Sequence, residues 1–146
     1  MKTSIGILAV LLILIAMCAP ASGAGLIGHF IVGTIAQQRM LSGQASCPPE
    51  LKEALQTPDG QKAFAGGAIG PDLCEKQSHY GNTGDMARKM ISDAQAELKA
   101  AKASGDSDAM AAAYKDVAFS YGWLSHCATD LDVHPAVNAV IGDTYR

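Results

Sequence analysis

Three residues spaced four apart, His126, Asp130 and His134, hold the densest chemistry in the chain. Positions four apart on a helix share a face, so two imidazoles and a carboxylate would project together about one turn from each other. Such a nitrogen, oxygen, nitrogen donor set suits zinc. Read alone, the spacing equally describes a surface His–Asp pair followed by an unrelated histidine. The rest of the chain shifts that balance. Asp72 closes the phrase Gly-Ala-Ile-Gly-Pro-Asp, stiffened by Pro71, and His79 follows seven residues later in a polar stretch. His29 lies one turn into an N-terminal helical pattern, after Gly25-Leu26-Ile27-Gly28. All four histidines of the chain therefore stand beside carboxylates or chain breaks, where a purely structural histidine is not required.

Competing chemistries lack their residues. The chain contains no His-Glu-x-x-His, no Cys-x-x-Cys, no His-Asp dipeptide, no Gly-x-Ser-x-Gly and no phosphate-cradling Gly-x-x-x-x-Gly-Lys. Asp130-Leu-Asp132 lacks the glycine and distal glutamate of a calcium loop. Cys127 adjoins His126 in sequence, but helical neighbours point about 100° apart, which argues against a Cys–His nucleophilic pair.

Helices must position these groups. Ile27, Ile31, Ile35 and Leu41 recur near helical spacing over 26–41 and predict a first helix with these residues on its apolar side. Gly43 and Pro48-Pro49 close it. A short second helix is expected from Pro49 through Leu55, ended by Pro58-Asp59-Gly60. A third, rich in small residues, is expected over 61–69, with Gly66, Gly67 and Gly70 allowing close packing and Pro71-Asp72 as its breaker. Residues 74–84 read as a polar loop. A fourth helix should start at Thr83 or Asp85 and run to Ser104, with Arg88, Lys89, Asp93, Glu97 and Lys99 on a solvated face. A fifth is expected from Asp108 to Val133, stopped by Pro135. Ala111 to Ala113, Val117, Ala118, Tyr121, Leu124 and Ala128 supply its apolar side. No strand pattern or internal repeat appears, so the expected fold class is all-α, a single multi-helix bundle.

The 146 residues, 49% hydrophobic and 17% charged, exclude a fibrous or wholly disordered chain. Much of the hydrophobicity lies in the uncharged run from Ile5 to Ala16. Met1-Lys2, that run and the small residues from Cys18 to Ala24 have the form of a secretory signal peptide, shorter than the 20 or so residues of a spanning helix. The expected division is therefore a signal over 1–23 and one domain over 24–146, secreted or periplasmic. Retention as a membrane anchor and lipid attachment at Cys18 are the disfavoured alternatives. Cleavage after Ala21, Gly23 or Ala24 satisfies the small-residue rule equally. The remaining domain carries a net charge of −4 and offers no basic field for a polyanion. It keeps three cysteines, Cys47, Cys74 and Cys127, which fit one disulfide plus a free thiol, or a partner beyond Arg146.

In their order along an all-helical exported chain, His29, Gly-Pro-Asp72, His79 and His126-x3-Asp130-x3-His134-Pro135 resemble the zinc-dependent phospholipase C family. Ala24-Gly25-Leu26-Ile27-Gly28-His29 is similar to the Trp-Gly-x-x-Gly-His start of the related single-strand nucleases, with Ala24 in place of the tryptophan. The resemblance implies the helical bundle of that superfamily and a cluster of two or three Zn2+ ions. It places Asp72, His79, His126 and Asp130 around one zinc. Asp130 would bridge to a second, held by His29 and by the amino and carbonyl groups of Ala24, if cleavage follows Gly23. His134 would begin a third site whose other family ligands have no counterpart before Arg146, so the sequence is expected to be the front part of a longer protein. The seven-residue step from Asp72 to His79 is tight against the classical members.

The activity implied is hydrolysis of glycerophospholipids at a membrane or micelle surface, yielding diacylglycerol and a phosphorylated headgroup. No obligate protein partner is expected. Zinc ions acidify water to a pKa of about 7 and clamp phosphodiester oxygens, so an anionic substrate needs no basic surface. By the same resemblance Asp72 would be the catalytic carboxylate, orienting that water or helping to deprotonate it while ligating metal. Three alternatives stand beside this reading, of which an HD-type helical phosphohydrolase is disfavoured because it needs adjacent His and Asp. A single-strand nuclease would use the same metals but calls for aromatic stacking platforms, and the chain is only 5% aromatic. A non-catalytic zinc-binding fragment would have the metals without the reaction.

Overall fold

The computed structural model describes residues 25–73 and 82–141. Among these the fold is all-α, with five helices and no strand: α1 (Gly25–Leu41), α2 (Pro49–Leu55), α3 (Pro58–Leu73), α4 (Thr83–Ser104) and α5 (Ser107–Ile141). The long α5 is the spine. α3 and α4 pack along it, α2 seals one end, and α1 lies mainly on α3. The core is built from Leu51, Ala54 and Leu55 of α2, Phe64 of α3, Ala94 and Leu98 of α4, and Ala113, Val117 and Ala118 of α5. The signal-peptide reading and the 24–146 domain boundary fall on residues outside those described. Among the described residues no helix is long and apolar enough to cross a membrane.

Local chemistry explains most helix limits. Gly43 and Gly105 take the positive φ that ends α1 and α4, and the Gly105 amide donates to the Ala101 carbonyl in an αL cap. The Asp106 carboxylate accepts from the amides of Asp108 and Ala109 and so caps α5. Pro58-Asp59-Gly60 opens α3 instead of merely closing α2: proline suits the first helical turn, and the Thr57 hydroxyl accepts from the Gly60 amide.

Two prolines expected to stop helices do not. Pro71 lies inside α3, which runs on to Leu73. The residue before a proline resists the helical region because its Cβ meets the ring, and here that residue is Gly70, which has none. Pro135 lies inside α5, which runs to Ile141. Its ring and Leu131, the residue whose carbonyl it cannot pair, sit on an exposed stretch where water can serve that carbonyl.

The face of α1 also differs from the periodicity reading. Ile27, Ile31 and Ile35 point outward, and the buried residues are His29 and Gly33. Apolar residues surround most of this helix, so spacing alone does not choose the inward side. Ala111, Ala112 and Ala128 of α5 are likewise exposed, because the neighbours of α5 cover Ala113, Val117, Ala118, Gly122 and Trp123 instead. The polar face of α4 is solvated as its sequence predicts.

Candidate metal centre

The close meeting of α3 and α5 sets the site. A Cβ on Gly67 would fall 2.1 Å from the Phe119 carbonyl oxygen, and one on Gly122 would fall 2.1 Å from the Phe64 carbonyl oxygen. The two backbones therefore touch where any other residue would part them. One turn beyond Gly122, this contact carries the His126 ring against α3, where its Nδ1 lies 3.0 Å from the carbonyl oxygen of Ala68. His29 arrives from α1, and its ring stacks on His126 with centroids 3.7 Å apart at 22°. Both histidines are buried, at 2% and 1% exposure.

Asp130 receives both rings. Its Oδ1 lies 3.1 Å from His29 Nε2 and its Oδ2 lies 3.2 Å from His126 Nε2. His134, a turn further along α5, brings its Nε2 to 3.1 Å from Asp130 Oδ1. Since α5 continues past Pro135, ordinary helix geometry supplies this approach. Asp72, at the end of α3, has its Oδ2 3.9 Å from His29 Nε2. The structure thus brings together His29, Asp72, His126, Asp130 and His134. Ala24 and His79 lie outside the described residues.

The electrostatics favour a cation at the centre. Ala68 can only accept, so a neutral His126 carries its proton on Nδ1 and turns the lone pair of Nε2 toward a carboxylate. Burial opposes charging Asp130, yet His126 and His29 hold its carboxyl well below the usual carboxylate range. Burial likewise opposes protonation of His126, but Asp130, the Ala68 carbonyl and Asp72 together raise its pKa above the ordinary value. Protonating both stacked rings would press two buried cations together. A divalent ion answers the same carboxylate and both lone pairs with one charge. Ligand atoms of His29, His126 and Asp130 all lie within 4.8 Å of one another. This donor set fits zinc.

Sequence reading missed Ala68, whose contribution is a backbone carbonyl and leaves no mark in side-chain type. The thiol of Cys127 stays outside the chemistry: burial, then Asp130, pushes its pKa up, the opposite of an activated nucleophile.

A helical bundle with two buried imidazoles and two half-buried carboxylates converging on one point defines a candidate metalloprotein. Residues 29–145 match the zinc-dependent phospholipase C family, and the chain belongs to it. No curated protein and no solved structure gives a significant match.

Proposed function

We propose that this protein is an exported phosphodiester hydrolase that cleaves glycerophospholipids to diacylglycerol and a phosphorylated headgroup. The single observation that carries the reading is the convergence of two buried imidazoles on the two oxygens of Asp130, within a chain of the zinc-dependent phospholipase C family. His126 and Asp130, with Asp72 and His79, would hold one zinc. Asp130 would also help to hold a second, with His29 and the Ala24 terminus, and His134 would contribute to a third. Bound zinc supplies Lewis acidity, which makes water acidic near neutral pH and offsets the charge of the phosphodiester.

The chain's own residues perform the remaining tasks. Asp72 orients the attacking water and accepts its proton, then returns a proton to the glycerol oxygen as the phosphorus–oxygen bond breaks. The Ala68 carbonyl holds His126 on its Nδ1 side, leaving Nε2 as the working atom. Burial of both rings keeps water from competing for them.

The test compares hydrolysis of phosphatidylcholine vesicles and of single-stranded DNA by the full chain, with and without a chelator. Chelator-sensitive release of diacylglycerol is expected. Cleavage of DNA alone would move the assignment to a nuclease, and zinc uptake with neither reaction would leave a binding domain.

A further inference from the structure

Each buried histidine has a glycine one turn away on its own helix, and both glycines press on the same short segment of α3. His29 is followed by Gly33, where a Cβ would lie 2.8 Å from the Ala68 Cβ. His126 is preceded by Gly122, where a Cβ would lie 2.1 Å from the Phe64 carbonyl oxygen and 3.0 Å from the Ala68 nitrogen. Ala68 itself is 1% exposed, and its carbonyl oxygen is the atom that His126 Nδ1 meets. Three helices therefore converge on one residue, and the rings standing a turn from that convergence stack at 3.7 Å.

We propose that Gly33 and Gly122 are positioning residues for the metal centre: by letting α1 and α5 seat directly on Ala68 of α3, they fix which edge of each imidazole faces Asp130. A side chain at either position drives its helix off α3. On α5 this withdraws His126 Nδ1 from the Ala68 carbonyl and shifts the ring relative to Asp130. On α1 it shifts Ala68 itself and separates the two rings. Gly66 is the internal contrast, since it lies on the same α3 segment with nothing within 4 Å of its would-be Cβ. The inference rests on the reading that the Nε2 atoms are metal ligands.

The experiment uses the full chain and the variants Gly33→Ala, Gly122→Ala and Gly66→Ala, each checked for folding by amide dispersion. Zinc affinity is measured by calorimetric titration and ring protonation by long-range nitrogen NMR of the histidines. We expect a protected Nδ1 proton on His126 in the wild-type chain and in Gly66→Ala. Folded Gly33→Ala and Gly122→Ala should bind zinc about 10- to 100-fold more weakly, the usual cost of losing an outer support, and should lose the protected proton. Wild-type affinity in folded Gly33→Ala and Gly122→Ala, or an equal loss in Gly66→Ala, overturns the positioning role while leaving the metal reading intact. If both variants fail to fold, the wild-type spectrum decides: absence of an Nδ1 proton on His126, with and without zinc, overturns it. A wild-type chain that takes up no zinc overturns the metal reading itself.

Discussion

At the scale of single residues, Asp130 is the junction on which the site turns. One carboxylate faces three imidazoles, at 3.1, 3.2 and 3.1 Å, from two helices. Asp130→Ala should lower zinc affinity by more than about 100-fold, because even outer supports cost 10- to 100-fold. Calorimetric titration checks this, and full chelator-sensitive hydrolysis by that variant would show that the cluster is not the catalytic centre. Asp130→Asn keeps the shape and one acceptor oxygen but not the charge, so it should fall between the two. The sequence marks this centre because histidine and aspartate at four-residue spacing are visible as types. Gly33 and Ala68 are invisible by type: they matter for the room or the carbonyl they offer.

At the scale of elements, a polar ladder ties α2 to its neighbours. Glu53 accepts from Lys102 of α4 at 2.5 Å and from the Tyr114 hydroxyl of α5 at 2.7 Å. Glu50 accepts from Gln95 and Tyr121 in the same way. Hydrogen bonding from Lys102 and Tyr114 lowers the Glu53 pKa. A carboxylate whose folded pKa is depressed contributes stability above its unfolded pKa, near 4.3, and loses it as pH falls through the folded value. Glu53→Gln should therefore lower Tm slightly at pH 7, less at high salt, with the difference closing below about pH 4. Thermal unfolding across that range measures it. The glycines of α3 make a second prediction. Gly66→Ala meets open space and should stabilise the chain by about 0.5–1 kcal/mol. Gly67→Ala would drive a methyl into the Phe119 carbonyl and should unfold or rearrange the α3–α5 contact. Sequence spacing treats these neighbouring glycines alike. Only the partner helix separates them.

At the scale of the whole molecule, the metal reading joins function to stability. A ligand that binds only the folded state adds about 2.7 kcal/mol at one hundred times its Kd. Zinc should therefore raise Tm in the wild-type chain, a chelator should reverse the rise, and Asp130→Ala should show neither. The core is a separate matter. Leu98 of α4, 3% exposed, belongs to the core and makes none of the contacts at the centre, so Leu98→Ala should lower Tm with or without zinc by a similar amount.

Legibility divides along a physical line. Residue types and local spacing are enough for the helical class, the glycine ends of α1 and α4, and the His–Asp register that marks a candidate centre. These depend on local spacing, on backbone preferences of Gly and Asp, and on side-chain type. Tertiary structure decided which face of α1 turns inward, that Pro71 and Pro135 sit within helices, and which oxygen of Asp130 meets which ring. The face of α1 and the pairing at Asp130 depend on how closely three backbones can approach, a distance set jointly by Gly33, Gly67 and Gly122, which lie far apart in the chain; the two prolines depend instead on Gly70 and on the exposed surface beside Leu131.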